Sequence, residues 1–266
     1  MSTGSRKTAR GSRAKPPSAT ALVPVAAVNS LARVPDAAGG EVVRDGGVIM
    51  VTGVPYVAHG AVIPASEVFF DADARPAGDG PWLGEADKVA WRDPATGYDC
   101  IILRSQPAGF LGGYVGVPPS HPLYGFACDA IPADIGIEVH GGITYAKMCQ
   151  DGPAPRHPVR YEARRICHLA VSYRPIGATD QHVEHAHAWW FGFTCDHVAD
   201  VAPGDVRHAS RGAALGVAQT YRDDAYVLGE VRNLAAQLRA IADVEPMPAR
   251  VGPPLPPASL DPRRRS

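Results

Sequence analysis

Between residues 82 and 245, apolar and polar positions alternate in short blocks separated by turn-forming residues. D-K-V-A-W, Y-D-C-I-I-L-R and F-L-G-G-Y-V-G-V are joined by D-P-A-T-G and S-Q-P-A-G. Gly, Pro, Asp and Ser stand where tight connections need them, so this part reads as a meander of strands. Further strands are expected at I-E-V-H-G-G-I-T-Y (137–145), R-I-C-H-L-A-V-S-Y (165–173) and A-W-W-F-G-F (188–193). The period then changes. Val227, Leu228, Val231, Leu234, Leu238 and Ile241 recur at helical spacing, which predicts a helix over 223–244 capped by Asp223 or Asp224. A single apolar face means that it packs on the sheet. The pattern predicts an α+β fold, an antiparallel, meander-like sheet packed by a long C-terminal helix.

The flanks read differently. Residues 41–70 begin as a hairpin around Asp45-Gly46-Gly47, and A-D-A-R-P-A-G-D-G-P (72–81) reads as a linker, so 41–81 is expected to extend the core domain of 82–245. Residues 1–40 are poor in aromatics and rich in Ser, Ala, Arg and Pro, a composition that predicts disorder. Residues 246–266 form a Pro- and Arg-rich tail that cannot continue a helix.

Charge separates the same segments. The net charge is −1, with +5 in the first fifteen residues and +3 from Arg250 onward, which leaves −9 for residues 16–249. A core of that sign is a poor surface for nucleic acid, because phosphate contacts need clustered Lys and Arg. Five cysteines (Cys100, Cys128, Cys149, Cys167 and Cys195) do not resemble a disulfide scaffold, and a reducing compartment is the simpler reading. No window approaches the roughly 18 apolar residues that a membrane span requires. The expectation is a cytoplasmic protein without a membrane span.

The candidate chemistry lies at strand ends. In I-E-V-H-G-G-I-T-Y, alternation puts Glu138, His140 and Thr144 on one face, and Gly141-Gly142 marks either a bulge or the close approach of a ligand. His168 in R-I-C-H is a ligand candidate or a buried core histidine. In W-W-F-G-F-T-C-D-H-V-A-D, an apolar run ends in Asp196, His197 and Asp200, which would share one helical turn. Carboxylate and imidazole together suit zinc or manganese, whereas Asp196 as a helix cap is the plainer alternative. H-V-E-H-A-H (182–187) precedes a strand instead of closing one and reads as a solvated loop. Cys100 lies in a β-branched run, unlike a nucleophile opening a helix. No G-x-S-x-G, phosphate loop, H-E-x-x-H or dinucleotide glycine pattern occurs.

Taken in order, D-K-V-A-W, G-Y-V-G-V, H-P-L-Y-G, V-H-G-G-I-T-Y, I-C-H, W-W-F-G-F-T-C-D-H and Y-R-D-D-A-Y-V resemble an uncharacterised family of short bacterial and phage proteins. The resemblance covers about Trp82 to Leu238. It implies a compact standalone domain and carries over no activity. Three readings stand. One is a divalent-metal-dependent hydrolase with His140, His168, Asp196, His197 and Asp200 as ligands and Glu138 as general base. Another is a non-enzymatic module that binds a small polar molecule, such as a nucleotide, at Gly141, Gly142, Trp189, Trp190, Tyr114 and Tyr124. The third is a structural domain whose histidines are core hydrogen-bonders.

Overall fold

The computed structural model describes residue 1 and residues 39–149, 157–167 and 188–256. Its first element is the hairpin the sequence predicts. Strands β1 (Glu41–Asp45) and β2 (Val48–Thr52) pair antiparallel across Gly46 and Gly47. Both glycines have positive φ, 55° and 86°, which a two-residue hairpin turn requires and glycine adopts without strain. β3 (Tyr56–Ala58) and β4 (Ala61–Ile63) form a small separate sheet that turns at His59-Gly60.

β5 (Ala65–Asp71), β6 (Lys88–Arg92), β7 (Asp99–Arg104) and β8 (Leu111–Val117) then make an antiparallel meander. β10 (Trp189–Thr194) continues the sheet beside β8, and β9 (Tyr145–Met148) lies outside it. Among the described residues the order is β1-β2-β5-β6-β7-β8-β10-β9, with every neighbouring pair antiparallel. One continuous sheet therefore runs across the boundary expected near residue 82, because β5 pairs directly with β6.

Three α-helices are described: α1 (Pro158–Glu162), α2 (Val206–Ala214) and α3 (Asp224–Asp243). α3 is the expected helix. Asp223 caps it, its carboxylate accepting the Tyr226 amide at 2.8 Å, and Val244 ends it in the left-handed region. Its apolar stripe of Val227, Leu228, Val231, Leu234 and Leu238 packs in one core with Cys100, Ile102, Val115, Phe191 and Phe193. The glycines of β8 let it come close: a Cβ on Gly113 would lie 2.4 Å from Val231 Cγ2. Among the described residues, no helix is long and apolar enough to cross a membrane.

The opposite face of the sheet carries Ala90, Ile101, Leu103, Tyr114 and Trp190. Nearby, Ala163 packs on Val48, Met50 and Phe69. Lys88 is fully buried there and donates from Nζ to the carbonyls of Glu162 and Cys167, both at 2.7 Å. Burial draws its pKa down to about 8. Cys149 and Cys167 form a disulfide, which departs from the reduced state expected of every cysteine.

Two predicted strands differ. Over 137–145 only Tyr145 is strand, because Gly141 and Gly142 (φ 64° and 81°) turn the chain before it. Of the strand expected at 165–173, residues 165–167 are not strand, and 168–173 lie outside the described residues, as does 182–187.

Candidate functional site

The turn at Gly141-Gly142 sets His140 and Gly141 against Asp200 and His197. Gly142 N–H donates to Val139 O at 2.9 Å and closes the turn. A Cβ on Gly141 would lie 1.8 Å from His197 Nε2, so the glycine pair permits close approach, here by an imidazole of the same chain. His140, just before the turn, is fully buried, and its amide and both ring nitrogens have partners. Its amide donates to Glu230 Oε2 at 3.0 Å. Its ring bridges Asp200 Oδ2, 2.7 Å from Nε2, and the Tyr226 hydroxyl, 2.8 Å from Nδ1. In the tautomer that donates Nε2–H to Asp200, Nδ1 accepts the Tyr226 O–H. Burial raises the Tyr226 pKa, which keeps that hydroxyl protonated as a donor.

Asp200 is the hub. Besides His140 it accepts the His197 amide at 3.0 Å and Arg222 Nε at 2.9 Å, and its own carbonyl lies 2.8 Å from His208 Nε2. Burial alone would push its pKa up. Its hydrogen bonds to His140 and Arg222, with the Arg222 charge, outweigh that and hold it below the ordinary carboxylate range. Arg222 also stacks over the Tyr226 ring, 4.8 Å from its centroid. The rings of His140 and His197 lie 5.3 Å apart.

His197 forms one wall of a cavity of about 390 Å³, shared with Gly141, Gly142, Thr144 and the apolar side chains of Ile131, Ile137 and Ile143. Burial raises the thiol pKa of Cys128, also in the lining, and of Cys195, deep beside Asp200, so both stay protonated.

Of the candidate ligands, His140, His197 and Asp200 converge, and His168 lies outside the described residues. Asp196 neither caps nor joins a helix. The chain from 196 to 200 forms turns, and the Asp196 carboxylate accepts Thr194 Oγ1 at 2.8 Å. Asp196, His197 and Asp200 therefore do not share a helical turn. Glu138 is exposed, and its backbone makes the contacts: N–H to Gln237 Oε1 at 2.7 Å, and its carbonyl accepting Gln237 Nε2 at 2.9 Å. The aromatic candidates split, because successive residues of a strand face opposite ways. Trp189 packs on Tyr124, and Trp190 lies with Tyr114 on the other face, so the four do not line one pocket.

Sequence reasoning missed Arg222, Tyr226 and Glu230. Their signal lay in Y-R-D-D-A-Y-V and the four-residue step from Tyr226 to Glu230, which share a line of α3, with Arg222 just before its cap. Asn233 and Gln237 extend this into a buried polar stripe on α3 that satisfies the backbone of irregular segments.

A second polar cluster lies at the head of the same helix. Arg104, with no side-chain exposure, donates to Glu85 Oε2 and Asp87 Oδ1, both at 2.8 Å. Tyr221 O–H donates to Glu85 at 2.6 Å, and the Asp224 amide donates to its other oxygen at 3.0 Å. Asp224 accepts Tyr56 O–H at 2.5 Å and pairs with His59 at 2.6 Å. Burial raises the Glu85 pKa; Arg104 opposes this, and the Asp224 charge adds to it. His59, Glu85 and Asp224 offer ligand atoms within 4.8 Å of one another, a set the sequence did not single out. The Arg104 guanidinium on Glu85 competes with any cation there.

Comparison of the chain with protein-family models, with curated proteins and with solved structures finds no match.

Proposed function

We propose that this chain is a binding module for a small molecule that occupies the cavity at Gly141-Gly142, its apolar body against Ile131, Ile137 and Ile143 and its polar end at His197. One observation carries the reading. A left-handed glycine with no room for a Cβ opens the cavity wall to an imidazole whose backbone is held by the Asp200–His140 network. The wall divides between the apolar side chains of Ile131, Ile137 and Ile143 and polar groups that include Thr144 and His197, which suits a ligand with one apolar and one polar end. Among the described residues the lining has no Lys or Arg, so a neutral or weakly polar ligand fits better than a nucleotide, whose phosphates need such groups.

The test is amide chemical-shift mapping with benzyl alcohol, benzoate and benzamidine. Shifts centred on Gly141, Gly142 and Thr144 are expected, strongest for the neutral probe and abolished in Gly141→Val. Shifts of none of the three amides with any probe would remove the reading. Gly141→Ala should cost about 1–3 kcal/mol in urea unfolding, because it forces a side chain into the left-handed region.

A second reading, a divalent-metal-dependent hydrolase holding zinc or manganese, is favoured by the His59, Glu85 and Asp224 set. Elemental analysis before and after chelation tests it. About one metal per chain, lost in His59→Ala, supports it, and a metal-free protein whose Tm ignores chelator rejects it.

A further inference from the structure

The segment following α3 is built into the network behind the cavity. Asn233 holds Val251 much as a neighbouring strand would, Nδ2 donating to its carbonyl at 2.7 Å and Oδ1 accepting its amide at 3.0 Å. One residue earlier, the Arg250 guanidinium pairs with Glu230 Oε1 and also donates to Pro253 O at 2.6 Å. Glu230 is almost wholly buried, and its other oxygen accepts the His140 amide. From there the path is continuous: His140 to Asp200 at 2.7 Å, and Asp200 to the His197 amide at 3.0 Å.

We infer that residues 248–251 are a positioning strap for the His197 wall, acting through Arg250, Glu230 and His140; this rests on the cavity reading above. The physical reason is the burial of Glu230. A buried carboxylate keeps its charge only while a partner meets it. Without Arg250, Oε1 loses its partner and the Glu230 side chain turns toward water, which changes what Oε2 offers the His140 amide. The displacement passes to Asp200, because the His140 ring is bonded to it directly, Nε2 lying 2.7 Å from Oδ2.

The experiment uses the full chain with labelled histidines. Ring signals of His140 and His197 are compared in wild type, Arg250→Ala, Arg250→Lys and Val251→Pro, alongside benzyl alcohol affinity. Arg250→Ala is expected to shift both rings and weaken the probe by about five-fold, within the usual range for indirect coupling. Arg250→Lys restores part of each effect. Val251→Pro, which deletes the N–H held by Asn233 and also restricts the backbone of Arg250 before it, produces a change of the same kind. The amides of β1 and β2 stay put as an internal control.

Unchanged His140 and His197 rings in Arg250→Ala and Val251→Pro would overturn the strap. Should Arg250→Ala fail to fold, Arg250→Lys and Val251→Pro decide by the same signals. If benzyl alcohol does not bind wild type, the cavity reading fails by itself. The strap's reach to His197 is then still decided by the ring signals.

Discussion

Around Arg104, the carboxylates of Glu85 and Asp87 and the Tyr221 hydroxyl close on a guanidinium that no solvent reaches. Around Asp200, imidazole, guanidinium and backbone amide close on a carboxylate in much the same way, yet one spoke of that wheel, His197, borders a cavity. Both clusters draw on the first turns of α3 and on residues of similar type. A buried ionic network is therefore no evidence of a site by its own existence. What distinguishes them is that the glycine turn at 141–142 leaves open volume beside one network, whereas Glu85, Asp87, Arg104 and Asp224 of the other are almost wholly buried, with His59 exposed at the edge.

That contrast breaks most visibly at Arg104. Arg104→Met strands two buried carboxylates, and urea denaturation should show a loss of about 3–5 kcal/mol. A loss under about 1 kcal/mol would mean that the sealed cluster is not a structural keystone.

The two carboxylates should respond to acid with opposite signs. The Asp200 pKa is depressed in the folded protein, so its contribution is complete above the unfolded value and fades as pH falls through the folded one. The Tm advantage of wild type over Asp200→Asn is thus expected to shrink below about pH 4. The Glu85 pKa is raised, so the folded state binds the extra proton. Wild type should lose stability relative to Glu85→Gln as pH rises from about 4.5. Parallel pH curves for the two variants would erase the distinction.

The smallest effect is expected at His59. Its ring is more than a third exposed, so His59→Ala should change stability by about 0.5 kcal/mol. A large drop in Tm without metal would show that the ring closes the sealed cluster.

Much of the fold was legible because it is written in local patterns. Gly46-Gly47 marks the hairpin, the meander of β6 to β8 follows its turn residues, and Asp223 caps a helix with six apolar positions in phase. The segment 137–144 was misread because alternation does not register that Gly141 and Gly142 take positive φ. α2 was invisible, since V-R-H-A-S-R-G-A-A offers no apolar stripe, only the Asp205 cap. The site was half legible. His140, His197 and Asp200 stood out as residue types, but of the partners that fix their roles, Tyr226 and Glu230 come from a helix read only for its apolar face, and Arg222 stands just before its cap. The Arg104 cluster was hidden by distance, with Glu85 and Tyr221 separated by 136 positions.

The placement of α3 has a consequence for how the chain is made. A ribosome releases β5 to β8 long before Asp224, so Trp91, Val115 and the other apolar residues of that sheet face emerge without the helix that covers them. Glu85, Asp87 and Arg104 likewise leave the exit tunnel before Tyr221 exists to join them. The nascent sheet is thus a half-finished surface for most of its synthesis, the kind of intermediate on which chaperones act and aggregation feeds. Completion waits on the twenty residues of one late helix.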